Sequence, residues 1–112
     1  MIDYKKMAER FRNAIEEAVK AGEIKEMKGF PVGCCSYASD LLQRFFVEHN
    51  IFTWYVSGEY GDASTWESHA WLETQDGIVI DITGDQYKNK ELNFTEPVYV
   101  GPSGRIRLCA KV

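Results

Sequence analysis

Residues 68–74 and 78–83 flank Gln75-Asp76-Gly77 and read as two strands of a hairpin. Two registers compete for this pair. A two-residue Asp76-Gly77 turn sets Leu72 opposite Asp81 and turns His69 away from that carboxylate. A three-residue loop, with Gly77 left-handed at a bulge, sets Leu72 opposite Ile80 and Trp71 opposite Asp81. In the second register Ala70, Leu72, Ile78, Ile80 and Ile82 share one apolar face. His69, Trp71, Glu73 and Asp81 share the other. A slip of one residue mixes the two sets, so burial selects the second register. That register places His69 diagonal to Asp81 on one face, within reach of a hydrogen bond.

The remaining chain supplies the layer that covers the apolar face. Asp3 caps a helix expected over residues 4–20, where Tyr4, Met7, Ala8, Phe11, Ile15 and Val19 form one stripe. Ala21-Gly22 ends it. Residues 23–28 are charged, with room for a short turn of helix, and residues 29–33 form a loop broken by two glycines and a proline. A second helix is expected over residues 34–49, burying Ala38, Leu41, Leu42, Phe45 and Phe46, with Asn50 as a left-handed cap. Residues 51–58 read as a strand. Residues 59–67 read as a polar loop, and residues 84–95 as irregular. Residues 97–101 and 105–110 read as two short strands around Gly-Pro-Ser-Gly. There is no repeat or interdomain linker, so residues 1–112 make one domain.

Composition removes several classes of function. A net charge of −4 with no basic stripe argues against nucleic-acid binding. The apolar runs are too short to span a bilayer. The N-terminal residues lack the apolar region of a signal peptide, so the cytoplasm is the expected compartment. Three cysteines without a signal peptide argue against a disulfide framework. No Cys-x-x-Cys pair exists and only His49 and His69 are available to help, so no metal site and no cofactor are expected.

Cys34 and Cys35 open the second helix. A thiol there meets unpaired N–H groups and the positive end of the helix dipole, which favour thiolate. Buried cysteine is also a good small hydrophobe, and the pattern alone leaves both uses open. A strand histidine beside a carboxylate on the same face has the parts of a general base and its orienter. Asp81, set between Ile80 and Ile82, costs free energy unless it is paired, and the His69 ring N–H pairs it. Cys35, with Cys34 as its competitor, is therefore the candidate nucleophile, His69 the candidate base and Asp81 the orienter. His49 is assigned to the last carbonyls of its helix. Tyr60 and Trp66, in the 59–67 loop, are candidate substrate contacts. Asp85 and Gln86 either contact substrate or form a simple turn. The Cys35 N–H supplies one oxyanion donor. Residues 28–34 contain no Gln or Asn to supply the second, which leaves Gln86, Trp66 or another backbone amide.

These residues resemble the transglutaminase-like branch of the papain-like cysteine hydrolases. In that branch the nucleophilic cysteine is followed after five residues by Leu-Leu, then two apolar residues, Gly-Ile, and a strand ending near Val-Ser-Gly. Here Cys35 is followed by Leu41-Leu42, Phe45-Phe46, Asn50-Ile51 and Val56-Ser57-Gly58; counting from Cys34 breaks the match. His69-Ala70-Trp71-Leu72-Glu73 and Asp81-Ile82-Thr83 match the other two blocks. The resemblance implies an α+β fold with a papain-like/transglutaminase-like core, N-terminal helices packing on a small antiparallel β-sheet. It implies a Cys-His-Asp peptidase, amidase or acyltransferase working through a thioester on a peptide or protein amide. Cys34 and Ser36 depart from the Gly or Trp that many members carry beside the nucleophile. Some relatives are inactive, so the alternative is a catalytically silent binding or regulatory module on the same scaffold.

Overall fold

The computed structural model describes residues 2–30, 34–60, 67–83, 97–102 and 106–111. Helix α1 (Tyr4–Lys20) starts where Asp3 accepts from the Lys6 N–H at 3.0 Å. It stops at Ala21, with Gly22 left-handed at φ +73°. One turn of 3-10 helix (Lys25–Met27) follows and buries Met27 completely. Helix α2 (Cys35–Glu48) begins one residue later than expected, with Cys34 as its N-cap. Its end is a Schellman closure: Asn50 sits at φ 60°, its N–H bonds Val47 O, and the Ile51 N–H bonds Phe46 O.

Five strands complete the α+β fold: β1 (Thr53–Tyr60), β2 (Glu67–Thr74), β3 (Val79–Asp81), β4 (Tyr99–Gly101) and β5 (Ile106–Lys111). They form one antiparallel sheet in the order β4-β3-β2-β1-β5. Leu72 pairs with Ile80, and Gly77 is left-handed at φ +84°. The Thr74 N–H donates to Ile78 O at 2.9 Å, which closes the three-residue loop. This is the register that burial of the apolar set selects. Leu72, Ile80 and Ile82 join Ala8, Ile15, Ala38, Leu42 and Phe46 in the core between the helices and the sheet. Trp71, Val79 and Val56 form a smaller cluster with Tyr99 on the opposite face.

Two expectations need correction. The loop expected over residues 59–67 is shorter, because β1–β2 pairing continues to Glu59↔Ser68 and Tyr60↔Glu67. Strand β5 holds Glu59 and Tyr60 from the other side, so both belong to a three-strand ladder. Tyr60 therefore ends β1 and is not part of a loop. The strand expected over residues 78–83 is reduced to Val79–Asp81, because the Ile82 carbonyl is taken by a side chain from α1. The segment expected to be irregular, 84–95, lies outside the described residues.

Candidate active site

The site forms where the β2–β3 ladder stops. Pairing ends at Leu72↔Ile80. In an antiparallel strand the N–H and C=O of alternate residues point to the same side. Ala70 has the parity of Leu72, so its N–H and C=O face the place that Ile82 would fill in a longer ladder. Helix α2 fills that place instead. The Ser39 hydroxyl donates to Ala70 O at 3.2 Å, and the Cys35 thiol takes a hydrogen bond from the Ala70 backbone. Across the gap, Arg12 Nη1 donates to Ile82 O at 2.8 Å and to Pro97 O at 2.9 Å. The first turn of α2 thus wedges against the open edge of β2, where a thiol on the helical layer meets His69.

Cys35 is half-buried and lies within hydrogen-bonding range of the His69 ring. His69 Nε2 meets Asp81 Oδ2 at 2.7 Å, which leaves Nδ1 for the thiol. The His69 and Asp81 side chains are only 0% and 2% exposed. Asp81 Oδ1 accepts from the Thr83 N–H at 2.9 Å and faces the Thr83 hydroxyl at 3.4 Å. The Asp-Ile-Thr sequence is therefore an Asx-type turn that fixes the carboxylate and satisfies both its oxygens. Trp71 stacks beside His69, with ring centroids 5.7 Å apart at a tilt of 31°.

The electrostatics follow from these contacts. Burial pushes the Cys35 thiol up, but the hydrogen bond and charge of His69 outweigh it, and the thiol ends below its ordinary value. Burial likewise pushes the His69 imidazolium down. Asp81 more than reverses this by charge and hydrogen bond, and the Cys35 contact adds to it, so the ring is raised to about 9. Both shifts favour the thiolate–imidazolium form of the pair. Cys34, buried in the core next to Cys35, moves the other way: burial and then the neighbouring sulfur raise its pKa. Helix geometry leaves the N–H groups of the first turn without intrahelical acceptors, and no side chain caps them at Cys34.

Of the residues singled out by sequence, Cys35, His69 and Asp81 come together. His49 Nδ1 sits 2.9 Å from Phe45 O at the helix end, as expected. Tyr60 lies at the end of β1, with its side chain outside the described set. Trp66 and Gln86 lie outside the described residues. Two supporting groups were missed. Ser39 stands one turn after Cys35, on the same helical face. Arg12 interrupts the apolar stripe between Ala8 and Ile15, a charge at a core position that signals a buried partner. Among the described residues there is no group of three or more metal-binding side chains, and no helix is long and apolar enough to cross a membrane. No family model, curated protein or solved structure matches the chain.

Proposed function

We propose that the protein is a thiol enzyme of acyl transfer, a peptidase, amidase or acyltransferase on a papain-like, transglutaminase-like core. The observation that carries this reading is the unbroken contact from the Cys35 thiol through His69 to Asp81, with the thiol lowered and the imidazole raised. A purely structural cysteine needs no such partners. A buried carboxylate–imidazole pair is costly to retain for stability alone.

The chemistry balances with these groups. The Cys35 thiolate attacks the substrate carbonyl carbon, forming a C–S bond and an oxyanion. The Cys35 N–H, at the helix start, is one donor for that oxygen. Collapse breaks the C–N bond while His69 gives its proton to the leaving amine. Water or an amine then attacks the thioester and passes a proton to His69, and the C–S bond breaks. Asp81 holds the ring orientation and its positive charge throughout.

Intact-mass measurement after incubation with a p-nitrophenyl ester of an N-acetyl amino acid tests this. The expected result is one added acyl group, retained in Cys34→Ala and absent in Cys35→Ala. An adduct lost only in Cys34→Ala would assign the wrong thiol. No adduct, together with slow and uniform thiol alkylation, would favour a silent binding module.

A further inference from the structure

The N–H and C=O of Ala70 leave β2 on the same side, and α2 takes both. The N–H goes to the Cys35 sulfur. The C=O accepts from the Ser39 hydroxyl at 3.2 Å. Cys35 and Ser39 stand four residues apart, so they are neighbours on one helical face. Two side chains of one helix thus do for Ala70 what a partner strand does for Leu72. Ala70 also follows His69 directly, so its N–H belongs to the peptide group that joins it to the base.

The helix itself has no need of a serine at this place. Serine is a poorer helix former than alanine, because its hydroxyl competes for backbone groups. Ser39 is only 3% exposed, so its hydroxyl requires a partner inside the protein. The local choice within a helix is the carbonyl four residues back, here that of Cys35. The hydroxyl reaches across to β2 instead. The titratable groups that act on the thiol are His69 from β2, Asp81 from β3 and Cys34 beside it. Ser39 adds no charge to that set, so any effect it has on the thiol passes through Ala70.

We propose that Ser39 is a positioning residue for the nucleophile: by holding the Ala70 carbonyl it keeps the Ala70 N–H aimed at the Cys35 sulfur and the thiol beside the His69 ring. The inference rests on the thiol-enzyme reading and deepens it. A hydrogen bond to the charged form of a group lowers the pKa of an acid, and its loss raises it. With the hydroxyl removed, α2 is no longer pinned to the open edge of β2 at Ala70. The N–H to sulfur bond loosens, and the thiolate loses a donor although every charged neighbour is still present.

The test is the pH dependence of iodoacetamide labelling at Cys35, measured in Cys34→Ala with and without Ser39→Ala or Gln43→Leu. Gln43 Nε2 donates to Thr53 O at 2.9 Å, so Gln43→Leu also removes a hydrogen bond between α2 and the sheet, but one that does not reach Ala70. Ser39→Ala should move the rise in rate to higher pH and slow labelling on the rising limb at least about threefold, the factor for half a pKa unit. Gln43→Leu should lower urea stability and leave the profile in place. The Ala70 amide proton resonance should titrate together with Cys35, and Ser39→Ala should weaken that response. An unmoved profile in Ser39→Ala, or the same shift in both variants, overturns the inference and leaves the enzyme reading intact. A shift confined to Ser39→Ala, in a protein that gains no acyl group from the p-nitrophenyl ester, would sink the enzyme reading and keep the role of Ser39 in setting the thiol.

Discussion

His69 and Asp81 meet at 2.7 Å from neighbouring strands, although the ladder between those strands ends before either residue is reached. The pair therefore depends on side chains, and its loss has a defined signature. In Asp81→Asn the ring loses the charge that reverses the effect of burial. Its pKa should fall from about 9 to near or below the ordinary ~6.5, read from the imidazole proton resonances across pH. Alkylation of Cys35 at pH 7 should slow several-fold, since at that pH an imidazole of pKa ~6.5 is only about one-quarter charged while one of about 9 is almost fully charged. An unmoved imidazole titration would contradict the assigned role of Asp81.

The raised pKa of His69 also has a consequence for stability. The folded state holds the proton more tightly than the unfolded state, so the imidazolium contributes stability fully below the unfolded value of ~6.5. That contribution is lost as pH rises through about 9. Cys35, with a lowered pKa, acts in the opposite sense: its contribution is present at high pH and lost as pH falls. Cys35→Ala removes this second effect. In that variant urea-unfolding stability should fall from pH 6.5 upward, and adding Asp81→Asn should flatten the slope.

Arg12 braces the opening in the sheet. Its guanidinium binds the Ile82 and Pro97 carbonyls, pairs with Glu16 at 2.7 Å and lies 4.7 Å from the Phe30 ring centre. Arg12→Met leaves two carbonyls without that donor, at a cost of about 2–5 kcal/mol. It also frees Ile82 O to pair with the Ala70 N–H, which closes the place where the thiol sits. Urea unfolding should show the stability loss, and Cys35 alkylation measured under folding conditions should be slower than in the parent.

The hairpin register was legible because the same pairing that buries Leu72 and Ile80 also aligns His69 with Asp81. The helices were legible from their stripes, and the Asn50 closure from one residue that tolerates positive φ. What sequence reasoning did not supply is the break in the ladder after Leu72↔Ile80. Period-two alternation runs on through Ile82, but its carbonyl is taken by a buried arginine 70 residues earlier in the chain, and α2 takes the facing groups of Ala70. The extension of β1 to Tyr60 was hidden for a related reason. Glu59, Tyr60 and Gly61 have turn-like composition, and pairing with β5 holds the first two extended. Phe52 and Trp54 have the composition of buried strand residues, yet both remain exposed.

The central claim is that His69 makes Cys35 a thiolate at a pH where ordinary thiols are protonated. The most direct measurement is the rate of iodoacetamide labelling at Cys35 across pH in Cys34→Ala, which removes the adjacent buried thiol and leaves one cysteine in that peptide. The account predicts a labelling rate that rises at lower pH than an ordinary thiol allows, and a shift of that rise to higher pH when His69→Ala is added. A rate that rises only with an ordinary thiol pKa of ~8.5, the same with or without His69, would contradict it.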